Sequence, residues 1–90
     1  MTLEQAETLA LQALAHILSD QDRRTLFLAA TGTEPQNIHA QIADAAFLGG
    51  VLDHVLGDDA LLQSFCRLAG LEPEQPAKAR ALLPGVAPEW

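Results

Sequence analysis

Residues that start and stop helices recur at short intervals along this chain, and a fold built from many short helices accommodates that punctuation best. Thr2 and Gln5 have capping-box spacing, and Asp20, Asp44 and Asp58 each precede a run suited to helix. Gly32, Gly57 and Gly70 follow such runs, and Pro35 sits where a first helical turn tolerates proline. The spacing predicts helices over 3–18, 21–31, 35–43, 45–56 and 59–69. A last short helix starts at Pro73 or Pro76, runs to Leu83 and is stopped by Pro84 and Gly85. Residue types agree: sixteen Leu and sixteen Ala supply 32 of the 90 positions, whereas Val, Ile and Thr total 11 and Tyr is absent. The expected fold is all-α, a compact bundle of five or six helices. At 90 residues there is surface for one core, so residues 1–84 form a single helical domain and 85–90 a C-terminal tail. Trp90 in that tail is either mobile or docked in a groove.

Periodicity gives each helix a face. In the first, Leu3, Ala6, Ala10, Ala13 and Ile17 share one side, and Gln5, Thr8, Gln12 and His16 form a narrow polar strip opposite. Leu9, Leu11, Leu14 and Leu18 widen the apolar part, so most of this helix is expected to be covered. Leu26, Phe27 and Ala30 turn inward from the second helix, the third presents Ile38 and Ile42 at i and i+4, and Leu61, Leu62, Phe65, Leu68 and Ala69 are the apolar positions of the fifth. The fourth is the expected central helix, since Asp53 and His54 are its only charged or imidazole members. Gly49 and Gly50 lie in its interior at about 1 kcal/mol each relative to Ala, which close approach by a neighbouring helix would offset.

Displacing the chain by 38 residues aligns 14–35 with 52–73, and eight of those 22 positions are identical: Leu14, His16, Leu18, Asp20, Phe27, Gly32, Glu34 and Pro35 match Leu52, His54, Leu56, Asp58, Phe65, Gly70, Glu72 and Pro73. This points to an internal duplication, with three-helix units of about 3–43 and 44–83 related by an approximate twofold axis. Two units are too few for a solenoid, so a closed pair is expected, with the first and fourth helices at its centre. Arg23 and Arg24 correspond to Leu61 and Leu62, so one helix face is expected to be solvated in the first unit and buried in the second.

Twelve acidic against five basic side chains give a net charge of −7, which disfavours direct binding of nucleic acid. The longest run without a polar side chain, 45–52, is far below the roughly 20 residues that span a bilayer. Glu4 and Glu7 precede any Lys or Arg, unlike the positive start of a secretory signal, and a cytoplasmic location is expected. Cys66 stands alone, excluding an intramolecular disulfide, and it reads as a small buried hydrophobe.

Chemistry-bearing residues are few. His16 and His54 each stand four residues before an Asp, a pairing with metal-ligand potential. A histidine near a helix C-terminus also interacts favourably with the dipole, and the Asp is needed as the next cap, so the structural role is preferred. His39 is expected to be exposed. Cys66 or Ser64 could meet a histidine in space, but no local activation motif accompanies either. Gly49-Gly50 lacks the surroundings of a phosphate loop, and the acidic residues at 20, 22, 53, 58 and 59 lack the calcium-loop pattern. Arg23, Arg24, Arg67, Lys78 and Arg80 would receive an acidic peptide only if they converged. No catalytic, cofactor-binding or metal-binding residue is assigned, and the chain is not expected to be an enzyme.

The Leu-Ala-His-Ile-Leu turn at 14–18, the stretch from Phe27 to Gly32 and the segment from Phe65 to Pro73 resemble a family of short bacterial all-helical proteins labelled as a domain of unknown function. The resemblance covers roughly 3–84 and implies a bacterial cytoplasmic protein; it carries over no functional residue. The function expected is a protein-protein interaction module, an adaptor or regulatory subunit, binding another protein or itself through an apolar helix face with acidic borders. An acidic mimic of nucleic acid that blocks a DNA- or RNA-binding protein is the alternative, and a small hydrolase using Cys66 or His54 comes third.

Overall fold

The computed structural model describes residues 1–84; the tail at 85–90, including Gly85 and Trp90, lies outside the described residues. Six α-helices follow one another: α1 (Leu3–Leu18), α2 (Gln21–Thr31), α3 (Ile38–Gln41), α4 (Ala45–Leu56), α5 (Asp59–Ala69) and α6 (Gln75–Leu82). There is no strand among the described residues.

The caps act where the side chains predict. Thr2 Oγ1 accepts from the Gln5 backbone N–H at 3.1 Å, and Gln5 Oε1 accepts from the Thr2 N–H at 2.8 Å, closing a capping box. Asp20, Asp44 and Asp58 accept from the N–H groups of Arg23, Ala46 and Leu61. Gly32 and Gly70 close α2 and α5 with φ of 69°, a left-handed conformation that a Cβ would strain.

Two expected boundaries differ. The segment opened by Pro35 is a 3-10 turn (Pro35–Asn37) followed by only one turn of α-helix, ending at Gln41 rather than residue 43. The last helix begins at Gln75, with Pro76 in its first turn, so the Glu72-Pro73 pair precedes the helix instead of starting it.

The core gathers Ala6, Leu9, Ala10, Ala13, Leu14 and Ile17 of α1 with Leu48, Val51, Leu52 and Val55 of α4. Phe27, Leu61, Phe65, Ala79 and Leu83 complete it. Helices α1 and α4 pack together, as expected for a central pair, and α6 packs against both. Its Pro76 and Ala79 are fully buried, as are Ala6, Ala10 and Ala13 of α1, and such small side chains let two helix backbones approach closely. Helix α3 has no comparable packing on α1 or α4, so the third elements of the two expected units occupy dissimilar environments. The corresponding helix faces differ as anticipated: Leu61 is buried and Leu62 half-buried, whereas Arg23 is half-buried and Arg24 exposed.

Two inward assignments are corrected. Leu26 of α2 is 65% exposed and Ala30 is exposed with it; in α5, Leu68 of the apolar set is 74% exposed beside an exposed Ala69. Each belongs to the apolar set of its helix, but the neighbouring helices cover only the part centred on Phe27 or Phe65. Leu3 and Leu11 of α1 are exposed for the same reason.

The end of α6 is fitted onto α4 at one glycine. A Cβ at Gly49 would lie 2.9 Å from the Pro84 carbonyl oxygen and 3.0 Å from the Arg80 guanidinium. That guanidinium donates to Asp53 Oδ1 at 2.7 Å and to the Leu83 carbonyl at 3.1 Å, with the Arg80 side chain only 12% exposed. Nothing lies within 4 Å of a Cβ at Gly50. Gly49→Ala is therefore expected to destabilise the protein by about 1–3 kcal/mol through overpacking against backbone, despite better helix propensity. Gly50→Ala is expected to be neutral or stabilising by up to about 1 kcal/mol. Urea unfolding followed by circular dichroism distinguishes the pair.

Candidate interaction groove

The polar strip of α1 lines a long concave surface. Gln5, Thr8 and Gln12, together with Met1, Thr2, Glu4 and Leu9, form one wall of a trough of about 690 Å³, and Leu71 and Gln75 from the α5–α6 junction form the other. Gln12 also borders a second groove of about 250 Å³, lined by His16, Phe65, Leu68 and Ala69. The two depressions thus meet at Gln12 and follow α1 for most of its length.

The far wall holds a similar side-chain-to-backbone bond just before α6, whose N-cap Glu74 makes no side-chain cap of its own. The Glu72 backbone N–H donates to Gln75 Oε1 at 2.8 Å, the same four-residue relation that joins Thr2 and Gln5. The spacing of Glu72 and Gln75 is visible in the sequence; that Leu71 and Gln75 face the start of α1 follows only from the packing of α6.

His16 and Ser64 share a hydrogen bond of 2.8 Å between Nε2 and Oγ, tying α1 to α5. The imidazole also packs on Phe65, with ring centroids 5.9 Å apart. His54 packs edge-on against Phe27 at 5.2 Å. The pairs cross: each histidine contacts the phenylalanine of the other matched segment. His39 is exposed.

Desolvation pushes the His16 pKa below its ordinary value, the nearby Arg23 guanidinium pushes it further, and Asp20 opposes both. Ser64 does not border the groove beside His16. Asp20 accepts from the Arg23 backbone N–H as the cap of α2. Burial pushes the Cys66 thiol above its ordinary pKa, and the Glu74 carboxylate adds to the rise. Cys66 borders a cavity of about 390 Å³ with Leu62, Leu71 and Pro73, and no histidine lines it.

The remaining candidates are dispersed. Among the described residues no three His, Cys, Asp or Glu side chains converge in an arrangement that could hold a metal ion. Asp58 caps α5, Asp53 pairs with Arg80, and Asp59 accepts from Gln63 Nε2 at 3.0 Å. The cations lie on three helices, and Arg24 and Arg80 donate to the carbonyls of Leu18 and Leu83.

The unfolded chain takes up a proton at His16 before the folded chain does, so this group's contribution to stability is full above about pH 6.5 and is lost as the pH falls through the depressed folded value. Urea unfolding at pH 7.5 and 5.5 is expected to show a smaller loss of stability on acidification in His16→Gln than in the unmodified chain. At Cys66, alkylation by iodoacetamide at pH 7.5 is expected to be much slower in the folded chain than in urea, as a buried, protonated thiol requires.

Neither the comparison with curated proteins nor that with solved structures finds a match. No helix among the described residues is long and apolar enough to cross a membrane. One family matches almost the whole length, residues 3–86, and the chain belongs to it: the family described as Protein of unknown function (DUF3572).

Proposed function

We propose that this chain is a non-enzymatic protein-protein interaction module, an adaptor or regulatory subunit of the bacterial cytoplasm, and that it docks its partner along the α1 trough. The observation that carries the reading is Leu68, 74% exposed at the rim of the groove formed by Gln12, His16 and Phe65. Covering a leucine side chain contributes about 1.5–3 kcal/mol, a useful anchor for an interface. The adjoining trough provides the polar surround that specific docking needs.

The two-unit origin of the chain belongs to the same proposal. Residues 14–35 and 52–73 are read as copies of one helix-pair element. The matched Asp caps, the matched left-handed glycines and the crossed histidine–phenylalanine pairs support that reading. The third elements have diverged, and with them the outer surfaces, so the docking face belongs to one side of the molecule.

The test is a photo-crosslinking amino acid placed at Gln12 in the native cell. A discrete cross-linked species is expected, and Leu68→Asp in the same chain is expected to abolish it while shifting folding stability by no more than about 0.5 kcal/mol, as at other exposed positions. Cross-linking that persists undiminished with Leu68→Asp overturns the proposed anchor. Cys66→Ala is expected to change stability and leave the cross-link intact.

A further inference from the structure

We propose that the cavity between the end of α2 and the start of α4 is a binding site for a small organic ammonium ion, a protonated amine on a short apolar stem. The cavity shares no residue with the grooves along α1, so this site stands or falls apart from the docking surface.

The volume is about 370 Å³, within the range that small ligands occupy. Phe27, Phe47, Gly50 and Val51 supply an apolar wall, and Thr31, Thr33, Gln41 and Asp44 a polar one. At Gly50 nothing lies within 4 Å of a would-be Cβ, so the missing side chain leaves room that no described neighbour takes.

The polar wall offers acceptors. Gln41 Oε1 is buried and has no hydrogen-bond partner among the described residues, an arrangement that costs stability until a donor reaches it. The two threonine hydroxyls hold two protons between them, and both are spent. One goes from Thr31 Oγ1 to the Phe27 carbonyl at 2.8 Å, and the other lies between the two hydroxyl oxygens, 3.0 Å apart. Only lone pairs remain there. The start of α4 by itself would favour an anion, but Asp44 already answers it: Oδ1 accepts from the Ala46 N–H at 2.9 Å, which leaves Oδ2 for a ligand.

Charge makes the matching donor a cation. Asp44 is the one charged side chain that lines the cavity among the described residues, and the last turn of α2, which ends there, carries no basic group. Phe27 and Phe47 meet edge-on with ring centroids 6.3 Å apart, and an ammonium ion is attracted to the faces of such rings. A primary ammonium has three N–H donors and no acceptor, so it suits Gln41 and Asp44 together. A carboxylate or phosphate would meet lone pairs and a like charge, on a chain whose net charge is −7.

The experiment titrates the full chain, labelled with nitrogen-15, at pH 7 with phenethylammonium. Parallel titrations use 2-phenylethanol and 3-phenylpropionate, which keep the stem and replace the cation by a neutral hydroxyl or an anion. Saturable backbone shifts at Thr31, Thr33, Gln41, Asp44 and Gly50 are expected with the ammonium alone. Equal binding of the alcohol or the carboxylate at these residues, or no saturable shift with the ammonium, overturns the proposal.

Variants locate the ligand. Asp44→Asn keeps a capping oxygen and removes the charge, and affinity is expected to fall about two- to fivefold. Glu4→Gln makes the same change of net charge outside the cavity and is expected to leave affinity unchanged. An equal fall in the two variants means attraction to the acidic protein as a whole and overturns the site. Gln41→Leu removes the buried acceptor and is expected to weaken binding about tenfold; undiminished affinity overturns the assignment. Gly50→Leu fills the cavity and is expected to abolish the shifts while helical circular dichroism is retained. Binding that survives this variant places the ligand elsewhere and sinks the proposal.

Discussion

The absence of a side chain at Gly49 is the constraint on which the arrangement depends. It lets the Pro84 carbonyl and the Arg80 guanidinium lie against the backbone of α4, and α6 then packs on both α1 and α4. Ala6, Ala10 and Ala13 of α1 are fully buried in this arrangement, and α6 carries its own small residues, Pro76 and Ala79, in the same core. A seam of small side chains buries little area per residue, so its stability comes from close contact over a long length. The Arg80–Asp53 bond adds direction, with Asp53 40% exposed and its gain correspondingly modest.

Local physics was the legible part. Thr2, Asp20, Asp44 and Asp58 cap their helices because a side-chain oxygen three or fewer residues from an orphan N–H needs no tertiary partner, and Gly32 and Gly70 are left-handed for an equally local reason. Leu26 and Ala30 are exposed, against the inward reading, because periodicity identifies residues that share a face, not how far a neighbour extends over it. The third helix was overestimated on the strength of Ile38 and Ile42, which are only partly buried. Four residues gain too few hydrogen bonds to propagate far from the proline that starts them.

The grooves along α1 were half legible. Gln5, Thr8, Gln12 and His16 stood out as a polar strip on an otherwise apolar helix, and they line the grooves along α1. Their opposite wall, Leu71 and Gln75, is separated from them by more than fifty residues of chain, and no spacing rule reaches across that distance. Ser64, considered for nucleophilic chemistry, instead bonds His16 across a helix interface. The contacts of His16 with Phe65 and of His54 with Phe27 join residues far apart in the chain, and no local spacing rule predicts them.

Because α6 packs against both members of the central pair and is the last helix described, biosynthesis imposes a waiting period. A nascent chain that has reached residue 70 already carries both central helices, yet their alanine- and leucine-rich sides have no lid. Such an incomplete chain is the species most exposed to chaperones, proteases and mutual association, and that exposure ends only when α6 docks on the central pair.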